Sequence, residues 1–309
     1  MEQEMEYAYA VYQEGTISRA AEKLFLTQPA LSMALRRLEG KLGESLFDRS
    51  RNPLRLTAAG EIFIEKCREL KILEQEMKSQ IDELNGLGKG TLTVGGTHFI
   101  LSYVLAPMLV DFAKRYPGIK LNVLECSSKE SERLLLDGAI DFYLRCSEPP
   151  PSISRISYAF SDQVLVAVPR QYIKEYSLPD SFLEREQIEA GVHKEESCPN
   201  TDFLDLAGIP FLKLADGHNL GGRLLDLFAQ HDLTANIIME VEQLTTSFYL
   251  ADSGLGATLA STLLIEKSKS QNLVFYKVDT PLLLRQFYFV ARQHGYISRV
   301  AKGFMELLD

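Results

Sequence analysis

Met5, Ala8, Tyr9 and Tyr12 recur along one helical face until Gly15 breaks the run. Ser18 then stands where an N-cap opens a second short helix, Arg19 to Leu26. Thr27 stands where one opens a third, with Pro29 tolerated in the first turn because no intrahelical donor is lost there. In that third helix Leu31, Leu35, Leu38 and Leu42 build one apolar stripe that must pack on the earlier helices. Residues Leu46 to Thr57 read as two short strands around a basic turn, Arg49-Ser50-Arg51-Asn52. From Ala58 to Leu84 no proline occurs, and Phe63, Leu70, Met77 and Leu84 recur at steps of seven with Cys67, Leu73 and Ile81 between them, which predicts a long helix with a pairing seam. Asn85-Gly86-Leu87-Gly88-Lys89-Gly90 is a glycine-rich hinge; no Lys-Ser or Lys-Thr pair follows it, as a phosphate loop would need.

Beyond the hinge the period changes. Thr91 to Gly95 is a strand, Leu101 to Tyr116 a helix stopped by Pro117-Gly118, Ile119 to Leu124 a strand, Ser127 to Gly138 a helix and Ile140 to Leu144 a strand. A second block runs from Gln163–Val168 through a helix at Gly221–His231 to a strand at Asn236–Val241, with further elements to Ile265. Strand-helix-strand units predict parallel sheets covered on both faces, the α/β class.

A chain of 309 residues is long enough for two or three domains. No run of 18 apolar residues occurs and the first six residues are acidic, so no membrane partner is expected and the cytoplasm is the expected compartment. Cys67, Cys126, Cys146 and Cys198 lie far apart with no C-x-x-C, which argues for reduced thiols and against a zinc site or a disulfide framework. The net charge of −9 speaks against a nucleic-acid partner until its distribution is read. Residues 1–60 hold 8 basic and 8 acidic side chains, so the whole excess lies beyond residue 60, and from Gly15 to Gly60 the local balance is +4.

That balance gives the third helix a chemical reading. Its free face carries Gln28, Ser32 and Arg36, flanked by Met33 and Arg37, side chains suited to base edges and phosphates in a major groove. On spacing alone an ordinary amphipathic helix with a solvated face is the stronger reading. The wing-like strands that follow tip the balance, because a basic turn of that kind lies along a phosphate backbone.

Ala20-Ala21-Glu22-Lys23-Leu24, Thr27-Gln28-Pro29-Ala30-Leu31-Ser32, Leu38-Glu39, Leu42-Gly43, Leu46-Phe47-Asp48-Arg49 and Leu56-Thr57-Ala58-Ala59-Gly60 resemble the LysR-type transcriptional regulators. More loosely, Arg115-Tyr116-Pro117, Gly138-Ala139-Ile140-Asp141, Ala207-Gly208-Ile209-Pro210 and Gly254-Leu255-Gly256-Ala257 extend the likeness along the chain. The resemblance implies a multidomain α and α/β protein: an N-terminal winged helix-turn-helix at 1–60, a linker and dimerisation helix with hinge at 61–90, and a two-lobed, periplasmic-binding-protein-like effector domain at 91–309. Lobe I would be 91–162 plus 266–309 and lobe II 163–265, with an insertion between Arg170 and Asn200 that the family usually lacks. It further implies that Thr27, Gln28, Ser32, Arg36 and Arg37 face a DNA groove, that Arg49, Arg51 and Asn52 serve the wing, and that the protein pairs with itself as a homodimer or homotetramer. Met33 and Ala34 depart from the family's usual polar or basic residues at those positions.

Parallel sheets put ligands at strand C-terminal ends, beside helix N-termini with unpaired N–H groups. Thr97 and His98, Ser127 and Ser128, His218 and Asn219 after Gly217, and Thr245 and Thr246 stand at such junctions, and Arg145 ends a strand with a fixed positive charge. A small, anionic or polar effector is the expected ligand; plain helix capping is what the same serines and threonines would otherwise do. No nucleophile elbow, H-E-x-x-H or Cys/His cluster occurs, so neither catalysis nor a metal or other cofactor is expected, although His98 and His218 would be the acid-base pair of an enzyme. The alternative is a two-lobed solute-binding protein without a regulatory DNA function, which should carry a signal peptide and no helix-turn-helix.

Overall fold

The computed structural model describes residues 2–51, 53–84, 90–146, 154–215, 218–293 and 296–308. The chain divides into two compact units, Met1–Leu84 with Leu136–Ala139, and Asn85–Leu135 with Ile140–Asp309. The hinge residues 85–89 lie outside the described residues.

In the first unit, helices α1 (Glu2–Glu14), α2 (Ile17–Lys23) and α3 (Gln28–Leu42) precede a two-residue ribbon, β1 (Phe47–Asp48) and β2 (Arg55–Leu56), and the long α4 (Ala58–Glu83). Leu31, Leu35 and Leu38 of α3 are fully buried against Ala8, Val11, Ala20 and Ala21, whose small side chains let the helices approach. Each such leucine contributes about 2 kcal/mol of apolar burial. Leu42, expected to close the stripe, is 45% exposed because the helix turns out at Gly43 one residue later. The cap of α2 is Thr16 rather than Ser18: Thr16 has an extended backbone and its hydroxyl accepts from the Arg19 N–H, while Ser18 already lies inside the helix. The α2–α3 turn closes through the Leu26 N–H on the Ala21 carbonyl at 2.8 Å, which puts Phe25 in the left-handed region at φ 54 where glycine is usual.

The seam of α4 divides in two. Ile64 and Cys67 are buried with Tyr9, and Phe63 packs against the helix-turn-helix core. Leu70, Leu73, Met77, Ile81 and Leu84 are exposed. Burial pushes the Cys67 thiol up to about 11.

The second unit is a curled mixed sheet. Strands β3 (Gly90–Gly96), β4 (Ile119–Glu125) and β5 (Phe142–Cys146) are parallel, with β3 between the others. Two long strands run antiparallel to each other across the unit: β6 (Ser154–Pro169) and β11 (Leu284–Arg292), the latter also pairing β5. The second half of β6 pairs β9 (Thr258–Ser261) on one side and β10 (Leu273–Tyr276) on the other. Strand β7 (Phe211–Leu214) pairs β8 (Ile237–Val241) in parallel and bridges Ala257. The result is two five-stranded lobes sharing β6. Segment 266–283, read from sequence as part of lobe I, is paired with lobe II strands, since the fully buried Leu273–Tyr276 lies beside Val166–Pro169. A four-residue apolar strand carries no local mark of which sheet it joins.

The helix predicted over Leu101–Tyr116 is interrupted. Ile100–Leu105 forms a π-turn and α5 spans Ala106–Arg115, because Pro107 has no N–H and its ring excludes regular bonding to the residue four before it. The other helices are α6 (Ser128–Leu136), α7 (Tyr172–Glu175), α8 (Arg185–Glu189), α9 (Asn219–Gln230), α10 (Leu244–Asp252), α11 (Thr262–Lys267) and α12 (Arg299–Met305).

The segment 171–199 is ordered. Tyr172, Leu178, Leu183, Ile188 and Cys198 join the main core, and Leu183 exchanges two backbone hydrogen bonds with Phe275, at 2.7 and 3.0 Å. It thereby covers the outer edge of β10, which would otherwise expose a row of unpaired backbone groups. His193 is buried here; desolvation, followed by the charges of Lys194 and Lys277, lowers its pKa from 6.5. As pH falls below 6.5 the unfolded chain binds a proton at this imidazole that the folded chain refuses, so stability is lost on acidification. The melting temperature should therefore drop between pH 7.5 and 5.5, and His193→Phe should flatten that slope; an unchanged slope in the variant would remove His193 as a cause.

Candidate functional site

Helix α3 is fixed at both ends. Thr27 caps its start through Oγ1, which accepts from the Ala30 N–H at 3.3 Å, and Gly43 ends it in the left-handed conformation at φ 76. With Leu31, Leu35 and Leu38 turned inward, the line farthest from the core runs through Pro29, Met33 and Gly40, all exposed. Arg36 and Arg37 flank this line on either side and are exposed; Gln28 is exposed beside the cap, and Ser32 is half-buried. The expected stripe of Gln28, Ser32 and Arg36 therefore occupies one flank of the free face, because Ser32 follows Leu31 by only one residue. Among the described residues Arg36 makes no ion pair, and Arg37 lies 4.0 Å from Glu4.

The ribbon after α3 is more committed. Arg49 pairs with Glu39 at 2.7 Å, and the other oxygen of Glu39 accepts from the Leu46 N–H at 2.9 Å, so Arg49 ties the wing to α3. Arg51 stands 3.5 Å from Asp48, which accepts from the hydroxyl and backbone N–H of Ser50. Those Ser50 hydrogen bonds, with help from Arg51, hold the Asp48 carboxyl below its usual range. Asn52 lies outside the described residues. Arg55 on β2 is exposed and was not among the residues expected to serve the wing; only the ribbon register, which sets it opposite Asp48, brings it to that surface.

In the second unit a cavity of about 470 Å³ opens between the lobes, lined by Thr97, Ser127, Ser128, Arg145, His218 and Asn219 together with apolar Phe99, Ile100, Leu220, Leu244 and Phe287. Ser127 caps α6 by accepting from the Glu130 N–H at 3.2 Å, and His218 stands at the start of α9 with Asn219. Arg285 forms part of the wall. Its guanidinium is paired with Asp162, Nε lying 2.9 Å from Oδ2, and sits 5.1 Å from the ring centre of Phe99 and 5.0 Å from that of Phe287. Asp162 is fully buried; its other oxygen accepts from Ser261 at 3.0 Å and Thr262 at 3.1 Å. These partners sit directly opposite each other on β6 and β11, so the pair rivets the two crossing strands. Glu242 is the acidic member of the lining, and Cys146, whose thiol burial pushes up, donates to Asn219 at 3.5 Å.

The family model described as the LysR substrate binding domain matches residues 85–309, and that of the bacterial regulatory helix-turn-helix protein, lysR family, matches residues 3–61. The chain belongs to the LysR family. It is a LysR-type transcriptional regulator with a helix-turn-helix and an effector-binding domain. The uncharacterized HTH-type transcriptional regulator YcgK of Bacillus subtilis is 27% identical over 305 residues, covering 98% of this chain and 92% of that one. A probable RuBisCO transcriptional regulator of Trieres chinensis is 26% identical, covering 86% and 82%. Two solved structures share the fold: CbnR in complex with its target DNA, at TM-score 0.61 and 20% identity over 100% of this chain and 98% of that one, and full-length OxyR of Pseudomonas aeruginosa, at TM-score 0.65 and 19% identity over 100% and 93%.

In this LysR-type regulator the cavity gathers six of the nine residues expected at an effector site: Thr97, Ser127, Ser128, Arg145, His218 and Asn219. The other three stand elsewhere. His98 faces Glu125, with Nδ1 at 3.4 Å, and Thr245 and Thr246 are replaced in the lining by Leu244, since the first turn of α10 points its apolar residue inward. Arg285 and Asp162 went unseen in the sequence because residues 123 positions apart meet only through strand pairing. No helix among the described residues is long and apolar enough to cross a membrane, and no group of three or more His, Cys, Asp or Glu among them could hold a metal ion.

Proposed function

We propose that this LysR-type regulator binds double-stranded DNA sequence-specifically through the outer face of α3 and the wing, as a homodimer or homotetramer, under the control of a small anionic or polar effector held in the cavity. The observation that carries the reading is the exposed α3 face: Arg36 and Arg37 project beside a helix whose opposite side is the core of its unit. A face with that charge answers phosphates on both walls of a groove. CbnR, whose fold this chain shares, was solved with its target DNA, which supports the same use here. The exposed Leu70, Leu73, Met77, Ile81 and Leu84 of α4 form an apolar strip that a second copy would bury. Two copies also double the base pairs read. A cavity of about 470 Å³ is the size of a small-molecule site, and its hydroxyls, amide, imidazole and Arg145 suit an anionic or polar ligand better than a cationic one.

Fluorescence anisotropy against a duplex from upstream of the protein's own gene tests this. Affinity should fall steeply with salt, and Arg36→Glu should weaken binding at least tenfold while leaving the melting temperature unchanged. Equal affinity of the variant, or binding indifferent to salt, would overturn the reading.

A further inference from the structure

Resting on that DNA-binding reading, we propose that Met33 is a specificity-determining residue: its thioether end selects a thymine in each half-site by packing against the 5-methyl group of the base. Met33 is 70% exposed at the centre of the outward line of α3, with Pro29 one turn before it and Gly40 two turns after. Nothing approaches within 4 Å of the place a Gly40 side chain would begin, so the crown of the helix is low and apolar around a single long side chain. Arg36 and Arg37 stand on either side of it.

Such a face suits one environment. Phosphates line the two walls of the major groove and attract the flanking arginines, while the floor offers polar base edges and a single kind of apolar group, the thymine methyl. An unbranched thioether has the reach and the adaptable torsions to settle on that methyl. It has no donor for the guanine O6 and N7 acceptors and only its weakly accepting sulfur for the cytosine amino group, so those bases would lose their water with little compensation. In water the same side chain leaves apolar surface unburied, which makes discrimination a gain on binding with no cost to the fold.

The test uses the full-length protein and duplexes selected by it from a random-sequence pool. Deoxyuridine replaces thymine one position at a time, which deletes a methyl group and changes no base pairing. Wild-type affinity should fall roughly fourfold per half-site at one symmetry-related position, the value expected for one buried methyl. Met33→Ala should bind the thymine and deoxyuridine duplexes alike at that position, and Met33→Arg should shift the selected base away from thymine. The inference is overturned if deoxyuridine is silent everywhere, or if Met33→Ala keeps the wild-type sensitivity. Should the pool yield no bound duplex at all, the DNA-binding reading itself fails and this inference with it; bound duplexes without a methyl effect sink the inference alone.

Discussion

Asp162→Ala should cost about 3–5 kcal/mol of stability in the second unit, because it leaves the Arg285 guanidinium buried without its counter-charge. The loss is compounded by the two hydroxyls, Ser261 and Thr262, that donate to the same carboxylate. An exposed pair would cost far less, since water would take over the released charge. For a unit of this size such a change lowers the melting temperature by about 10 °C. Arg285 would also be free to swing from its place against Phe99 and Phe287, so the cavity wall should lose its shape and effector affinity should fall along with stability. Replacing both partners by Leu and Met should recover much of the stability without recovering ligand binding. Differential scanning calorimetry of the single and double variants decides the matter: a single variant melting within 2 °C of wild type would show that the pair holds nothing together.

Gly60→Ala should disable the first unit by a different route. A Cβ at this position would lie 2.0 Å from the Leu46 carbonyl oxygen and 3.0 Å from its carbon, both backbone atoms that cannot step aside cheaply. The start of α4 is pinned there: the Thr57 N–H bonds the Leu46 carbonyl at 3.0 Å, the Thr57 hydroxyl donates to the Ser45 carbonyl at 2.5 Å, and the Gly60 N–H bonds the Thr57 hydroxyl at 3.0 Å. The clash must displace α4 or the strand leading into the wing, at about 3 kcal/mol or more for an overpacked backbone contact. DNA affinity should fall by at least tenfold even at temperatures where the chain remains folded, because the wing moves relative to α3. Gly40→Ala in the same unit meets nothing within 4 Å and should be neutral or mildly stabilising to the fold, which makes it the matched control for melting. Equal melting for both alanine variants would refute the close-approach argument.

The elements legible in advance were those written in short-range pattern. The stripe of Leu31, Leu35 and Leu38, the Thr27 cap and the long α4 all depend on residues within a few positions of one another. The strand-helix alternation after the hinge was readable for the same reason. Local signals misled where two candidates competed: Ser18 and Thr16 are both good caps, and only the extended backbone at Thr16 chooses between them. Pro107 hid inside an apolar run whose periodicity alone read as one helix.

The sites show the same boundary. Sequence determined which side chains stand at the ends of strands and at the starts of helices, so Thr97, His98, Ser127, Ser128, Arg145, His218, Asn219, Thr245 and Thr246 could be named as candidates before any lobe was built. Tertiary structure decided that Leu244 rather than Thr245 or Thr246 lines the cavity, that segment 266–283 pairs with the second lobe, and that Asp162 meets Arg285. On α3 it moved the centre of the free face from Ser32 to Met33, because the buried stripe is set by what packs beneath the helix and the outward line follows from it. Periodicity fixes the faces of an element, whereas the partner that covers a face, and so the direction of the remaining side chains, comes from chain segments far away in sequence.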